Sequence, residues 1–472
     1  MTTTTAQFRE RATIALEDVR LQQALDGATG RFATARQAAL AAIPWADELR
    51  DHFKAIRAAT LANLAEHLQT FERQATAVGT HVHWAQDGAE ACAIVTEIAQ
   101  RHGVTLATKS KSMATEEIHL NAALAKAGVR PVETDLGEWI IQLAEEPPSH
   151  IIAPAIHKTK EQVAELFERE SGRPQSAADI PALTAEARRM LREQFLAAGM
   201  GISGGNLAVA ETGSVVLVTN EGNGRMVTTA PRVHVSIIGI EKIAPTWDDA
   251  AVWLSLLARS ATGQPMSIYT TVITGPKRTA ALDGLPDPDG PEEVHVVLLD
   301  NGRSPLVGSK YEEVLQCIRC GACLNVCPVY REAGGHAYGS PYSGPIGAVI
   351  SPLLFGLDKY PALPHASSLC GACQDVCPAR IDLPRMLLEL RADLVTQGIA
   401  HGSEAVLEGS VSLAMRSERV WALLMGMGRV GQRPLLKNGK LALPERFNPG
   451  GERPLPALAK KSFHDLWRDG EV

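Results

Sequence analysis

Seven of the chain's eight cysteines crowd into about sixty of its 472 residues, in two runs that each end in Cys-Pro. The first reads Cys317-Ile-Arg-Cys320-Gly-Ala-Cys323-Leu-Asn-Val-Cys327-Pro328, the second Cys370-Gly-Ala-Cys373-Gln-Asp-Val-Cys377-Pro378. Thiols at this density must be cross-linked or filled with metal. A disulfide framework belongs to short exported chains, and the N-terminus MTTTTAQFRERATIALEDVR is polar, without an apolar signal core. Structural zinc uses a pair of C-x2-C knuckles around one tetrahedral site, a different spacing from the first run's four thiolates in close series. The C-x2-C-x2-C-x3-C-P spacing is instead that of iron–sulfur chains, in which three thiolates hold one cluster and the fourth reaches a second. In that crossed pattern Cys317, Cys320 and Cys323 hold one cluster, completed by Cys377, while Cys327, Cys370 and Cys373 hold the other.

The second run is one thiolate short, because Ser367 stands where its leading cysteine would be. The expectation is two [4Fe–4S] clusters, with three options open at the second site. It can be a [3Fe–4S] cluster, or a [4Fe–4S] cluster whose last iron takes Ser367, another oxygen or nitrogen ligand, or water, or one whose last iron takes substrate as a Lewis acid does. A plain electron relay with a non-cysteine ligand is the preferred expectation.

The rest of the composition excludes several classes. Lys+Arg 46 against Asp+Glu 53 gives a net charge of -7, unsuited to general nucleic-acid binding. No run of apolar residues is long enough for a transmembrane helix. Reduced cysteines set for metal point to the cytoplasm, with peripheral contact to the membrane left open.

Hydrophobic spacing divides the chain into four stretches. Residues 1–75 carry helical periodicity at Ile14, Leu16, Val19, Leu21 and Leu25, and again from Leu49 to Leu68. Residues 76–302 alternate strand-like runs (81–84, 104–107, 150–153, 213–219, 233–240, 267–273, 294–299) with amphipathic ones (88–101, 158–170), which predicts an α/β domain with a mixed or parallel sheet. Residues 303–395 hold the cysteine runs between helical flanks at 311–318 and 383–396. Residues 396–472 offer a helix at 411–425, a Pro/Gly/Lys-rich stretch expected to be extended, and a docking-like end, Lys461 to Trp467. A literal G-x-G-x-x-G at Gly426 to Gly431 follows a helical run instead of a strand, so it is set aside as a dinucleotide site.

CIRCGACLNVCPVYREAGGHAYGSPYSGPIGAV and LPHASSLCGACQDVCP, with TKSKSMATEEIHLNAAL, ETDLGEWIIQL and GISGGNLAVAETGSVVLVTNEGNGRM upstream, resemble the lactate utilization protein B (LutB) family over nearly the whole chain. The resemblance implies an α/β LUD domain of the NagB/RpiA/CoA-transferase type, a helical ferredoxin domain, and a LutB-type C-terminal segment. It implies a part in oxidising L-lactate to pyruvate with LutA-like and LutC-like partners and an unknown electron acceptor. Members of this family resemble the chain in lacking a cysteine at Ser367.

Within the α/β stretch, a small-anion pocket is expected from Lys109, Glu211, Asn220 and Arg225. Thr108-Lys-Ser-Lys-Ser112 joins a strand to a helix, so its lysines, hydroxyls and amides can hold a carboxylate or phosphate. Asn220 to Arg225 is glycine-rich and suits the same task; a helix cap and a turn are the plain alternatives. The resemblance also keeps a CoA-transferase-like enzyme in view, with Glu211 as its nucleophile, and beside it a scaffold that only assembles partners. Cys92 reads as a buried small hydrophobe. His81, His83 and His157 show no ligand-like spacing, and His336 is the one histidine of the Gly/Pro/Tyr-rich loop 330–346 that follows the first run.

Overall fold

The computed structural model describes residues 8–277, 290–399, 402–437, 440–441 and 455–471. It divides into two compact units, Met1–Leu394 and Val395–Val472.

The first unit opens with four helices, α1 (Phe8–Glu17), α2 (Val19–Ala41), α3 (Ala46–Ala62) and α4 (Leu64–Ala77). Asp18 starts α2 by accepting the amides of Arg20 and Leu21, two of the donors that a helix leaves unpaired at its start. On α4 the buried Leu64, Leu68, Phe71 and Ala75 recur at steps of three and four, one stripe along a helix.

Ten strands follow: β1 (His81–Ala85), β2 (Leu106–Lys109), β3 (Arg130–Glu133), β4 (Met200–Ser203), β5 (Leu207–Val209), β6 (Ser214–Thr219), β7 (Val233–Gly239), β8 (Ile243–Ala244), β9 (Tyr269–Ile273) and β10 (Glu293–Leu299). Six form one parallel sheet in the order β1-β10-β7-β4-β2-β3. Along β10, Val296 and Leu298 join one apolar core while Val297 and Leu299 join another. A parallel sheet covered on both faces requires such a continuous apolar strand. The other four strands form a second sheet, β8-β5-β6-β9. Sequence periodicity overlooks β3, β4 and β5, which are only three or four residues long.

The expected strand at 150–153 is a turn. The amides of Ile152 and Ala153 both donate to His150 Nδ1, so the histidine side chain closes the turn itself. The flank at 311–318 is a short 3-10 segment, Glu312–Gln316, and the second flank is a helix, Leu383–Thr396.

The cysteine region does not carry a core of its own. Phe53 and Phe71 from the N-terminal helices, Val216, Ile238 and Trp253 from the α/β part, and Tyr330, Ile350 and Leu387 from around the cysteines share one apolar cluster. Full burial of one such side chain is worth roughly 1.5–3 kcal/mol, so these segments fold against one another.

In the second unit the single helix expected at 411–425 is two, Gly402–Met415 and Glu418–Gly431. Ser417 breaks it by accepting the Val420 amide and capping the second. The G-x-G-x-x-G lies inside that second helix, where no phosphate-cradling turn exists. Most of the stretch expected to be extended lies outside the described residues, and the docking-like end is a short helix, Phe463–Arg468.

Candidate functional site

The site begins with a turn that occurs twice. Cys317 is followed by Arg319 at φ 59° and Gly321 at φ 74°; Ser367 is followed by Leu369 at φ 54° and Gly371 at φ 84°. A left-handed arginine or leucine costs about 1–3 kcal/mol and persists only where its surroundings impose it. In the first turn the Arg319 amide donates to Cys317 Sγ at 3.4 Å. In the second the Leu369 amide donates to Ser367 Oγ at 3.1 Å. Each turn then enters a short helix, Ala322–Asn325 or Ala372–Val376. Cys327 caps the next helix, Pro328–Ala333, taking the Tyr330 amide on its sulfur at 3.5 Å. Proline at that helix start lacks an N–H and so leaves no orphan donor.

Basic side chains from distant elements hold carbonyls in and beside the cysteine runs. Arg36 of α2 donates to Val376 O at 2.6 Å, and Arg50 of α3 to Cys377 O at 2.9 Å. Arg57, fully buried, donates to Ile243 O, Glu241 O and Leu315 O. Lys242, just after β7, donates to the carbonyl of Cys317.

The thiols fall into two electrostatic groups. Cys317, Cys320, Cys323 and Cys377 act on one another, as do Cys327, Cys370 and Cys373; Cys323 also feels Cys373. Burial, then neighbouring thiols, pushes Cys320 up to about 12, and burial and the other cysteines push Cys373 to about 12. At Cys317 burial is outweighed by Arg319, Lys242 and the Arg319 amide, which hold the thiol below its ordinary value. Clustered thiols that resist ionising alone, with backbone N–H groups on their sulfurs, fit a thiolate-held metal cluster, whose binding removes those protons.

Beside the first run lies a cavity of about 380 Å³ lined by the loops that leave β2, β4 and β7, and by Ile318, Arg319 and Tyr342. Behind it, Arg303 forks onto Glu117 with both nitrogens at 2.8 Å and reaches Glu241 at 2.6 Å; Tyr342 O–H donates to Glu117 at 2.6 Å. Arg319 stacks over the Tyr342 ring at 4.7 Å. Burial opposes ionisation of Glu241, but Arg303, Lys242 and Arg319 hold its pKa down to about 2. Gly239 makes room for the pair, since a Cβ there would lie 2.2 Å from Glu241 Oε2.

Of the four residues expected to make an anion pocket, Asn220 lines this cavity and the other three do not. Lys109 is buried in an ion pair with Glu133 at 2.5 Å. Glu211 accepts the Trp247 amide at 2.7 Å at the start of helix Trp247–Ala261. Arg225 lies over the Tyr269 ring. Within the two expected segments, Ser110, Lys111, Ser112, Glu221 and Asn223 do reach the cavity, and Ser112 also caps a helix.

Sequence reasoning missed Glu117, Glu241, Lys242, Arg303 and Arg319. Glu117 and Arg303 are 186 positions apart, and only a charge inside an apolar context hinted at each. It also missed the histidine groups. Parallel register sets His81 opposite His295, and His83 Nε2 lies 3.0 Å from His295 Nδ1. His157 pairs with Glu146 at 2.7 Å and packs edge-on against His336, which bonds Pro147 O. Cys92 is half-buried and donates to Ile118 O, against the core under β10.

Comparison with known proteins follows the same division. The LUD domain model matches residues 68–299, and the 4Fe-4S dicluster domain model matches residues 313–381. The chain is 42% identical over 469 residues to lactate utilization protein B of Lysinibacillus sphaericus, covering 98% of this chain and 97% of the relative. With lactate utilization protein B of Bacillus subtilis the identity is 42% over 476 residues, covering 99% and 97%. Among solved structures, a DUF162 family protein from Deinococcus radiodurans is similar at 13% identity and a TM-score of 0.28, covering 50% of this chain and 98% of that one.

Proposed function

Because the chain belongs to the lactate utilization protein B family, we propose that it is the iron–sulfur electron-transfer component of an L-lactate oxidation system, acting with LutA-like and LutC-like partners. The observation that carries this reading is a pair of like turns in unlike surroundings. One is walled by cations beside a cavity; the other reaches the surface at Cys370.

In this reading Cys317, Cys320, Cys323 and Cys377 hold one cluster, and Cys327, Cys370 and Cys373 hold the other. The grouping of the thiols supports both sets. Ser367 Oγ, in the place that Cys317 Sγ takes in the first turn, is the candidate fourth ligand of the second. When bound, the clusters supply one-electron transfer. The amides of Arg319 and Tyr330 donate to sulfur, and Arg36, Arg50 and Lys242 bring positive charge, so these residues favour the reduced state.

Lactate gives up two electrons and two protons to become pyruvate, so a hydride-accepting partner has to stand between it and a one-electron carrier. The exposed edge at Cys370 suits exchange with that partner or with the final acceptor. Among the described residues no helix is long and apolar enough to cross a membrane, and a cytoplasmic place, free or at the membrane face, goes with the reading. A CoA-transferase-like reaction has no support in the surroundings of Glu211, whose carboxylate serves a helix start.

The test is anaerobic EPR with iron and sulfide counts, on the protein as purified and after stepwise reduction. L-lactate is then added with and without the partners. Iron for two clusters, reduced by lactate only when partners are present, is the expected result. Zinc in place of iron, or clusters that no partner reduces, would sink it and leave the scaffold reading.

A further inference from the structure

A second gathering of ligating side chains lies at the far end of the six-stranded sheet from the cavity. The last residue of β10, Leu299, pairs with Gly239, which lines the cavity. The first residues of β10 are Glu293 and, two on, His295. There Glu293 Oε2 lies 3.2 Å from His102 Nε2 and 3.4 Å from His295 Nε2. One ligating atom from each of the three residues falls within 4.8 Å of the others. His102 is the C-cap of helix Gly88–Arg101, so the group ties that helix to the start of a strand.

His295 is 1% exposed, and its Nε2 has no hydrogen-bond partner. Buried polar atoms are nearly always paired, so this one calls for an account. The rest of the ring is held firmly: His83 Nε2 bonds Nδ1 at 3.0 Å, and His81 stacks on it with centroids 4.9 Å apart. One nitrogen of the His83–His295 contact donates. With the proton on His295 Nδ1, the Nε2 lone pair faces a carboxylate oxygen at 3.4 Å, and the two repel unless a cation joins them. With the proton on Nε2, Glu293 should accept it, yet the contact lacks hydrogen-bond geometry. The first arrangement is the one that metal-binding histidines adopt, one nitrogen on the ion and the other donating to a partner that fixes the ring. Two imidazoles and a carboxylate suit a zinc-class dication; magnesium and calcium take oxygen ligands. A comparable group, Glu146, His157 and His336, suits a cation less, because Lys158 Nζ already sits on Glu146.

We propose that His102, Glu293 and His295 bind one zinc ion through Nε2, Oε2 and Nε2, with His83 and His81 fixing the His295 ring. Three protein ligands and a fourth position for water make up an open zinc site. His102 and Glu293 are half-buried, which gives the ion a way in from solvent. Once bound, it replaces a repulsive contact with three bonds and clamps the end of helix Gly88–Arg101 to β10. The site uses none of the cysteines and does not rest on the electron-transfer reading.

The test is anaerobic titration of zinc chloride into the full-length, iron-loaded protein, followed by calorimetry and by X-ray absorption at the zinc edge. One zinc per chain is expected, without loss of iron and with zinc–nitrogen and zinc–oxygen distances of about 2.0–2.1 Å. Saturation should raise the melting temperature by a few degrees, because the ion binds only the folded chain. Glu293→Gln and His102→Ala are each expected to weaken zinc at least about tenfold, since even outer partners of a metal site are worth that much. His157→Ala, in the other histidine group, should bind zinc as the native protein does, and magnesium should not bind. No zinc uptake, a zinc–sulfur shell at about 2.3 Å, native affinity in either ligand variant, or a tenfold loss in His157→Ala overturns the proposal. The absorption spectrum needs no variant, so it decides the matter even if a variant fails to fold. It also keeps the two readings apart. Zinc on sulfur in place of iron sinks both, whereas zinc on nitrogen beside a full complement of iron supports this site and leaves electron transfer standing.

Discussion

At the first cysteine run a left-handed arginine turns its amide onto Cys317 Sγ; at the second a left-handed leucine turns its amide onto Ser367 Oγ. Both turns pass through a left-handed glycine into a short helix. Their surroundings differ. Around the first stand Arg57, Lys242, Arg303 and Arg319, with Glu117 and Glu241, all buried or nearly so. Around the second, Cys370 is exposed; Arg391 reaches the turn through Pro364 O and Ser367 O, while Arg36 and Arg50 hold carbonyls further along the run, at Val376 and Cys377. A few residues are enough to shape the turn. What it can do depends on whether distant elements have dried it and charged its walls.

The largest test of that contrast removes one thiol from each turn. In the proposed reading Cys320→Ser takes a ligand from a buried site whose loading is part of the folding free energy. The variant is expected to lose the first cluster and to melt at clearly lower temperature. Cys370→Ser at the surface is expected to lose about half the iron, that of one cluster of two, with little change in melting. Iron counts and thermal melts of both variants check this, and equal destabilisation would erase the distinction.

Next in size is the removal of one guanidinium from beside each turn. Arg57→Met strips hydrogen bonds from three buried carbonyls and a guanidinium from over the Trp253 ring. A loss of about 3 kcal/mol or more in urea unfolding is expected, since each buried carbonyl left without its donor costs about 1–3 kcal/mol. Arg391→Met, at the half-buried second run, is expected to cost about 1 kcal/mol. If the two losses match, the first turn is no better braced than the second.

The same contrast explains what was legible in the sequence. The cysteine spacing and the missing thiol at Ser367 are local, and each stands within a few residues of what it acts on. The parallel sheet was legible too, because β7 and β10 are long apolar runs. The wall of the cavity was not. Arg57, Glu117, Glu241, Arg303 and Arg319 meet only through tertiary packing, and no periodicity marks a charge that will be buried. Lys109 and Glu211 misled for the same reason: polar residues after a strand or before a turn look like a pocket until Glu133 and the Trp247 amide claim them. The segment 150–153 misled locally, because a histidine that closes its own turn resembles the start of a strand.

Acid is expected to separate the runs further. Burial, and Lys111 after it, holds His150 down to about 3 against 6.5, although its bond to Asn325 pulls the other way. Asn325 belongs to the short helix of the first run. Below pH 6.5 the unfolded chain takes up a proton that folded His150 refuses, so stability falls with pH through the window from 6.5 to about 3. Each such histidine contributes about 1.4 kcal/mol per pH unit there, and nothing above it. His234, likewise held at about 3, adds to the total. His150→Gln should therefore reduce the slope of stability against pH by one proton's worth without flattening it. Urea melts at several pH values measure this, and an unchanged slope would mean that His150 is already charged in the folded protein.

The smallest effect is expected at Ser367, and it probes how far the likeness of the turns goes. If Ser367 Oγ holds iron as Cys317 Sγ does, Ser367→Cys completes a second set of four thiolates. The iron of that cluster should then escape into air-saturated buffer a few-fold more slowly. Ser367→Ala should speed the loss, since the site then depends on water or a neighbour. Release of iron to a chelator gives both rates, with the first cluster of the same protein as the internal standard. Equal rates in the alanine variant and the native protein would mean that Ser367 only closes the turn through the Leu369 amide. The two runs would then share a backbone and nothing of its chemistry, and the open iron of the second would belong to whatever reaches the surface at Cys370.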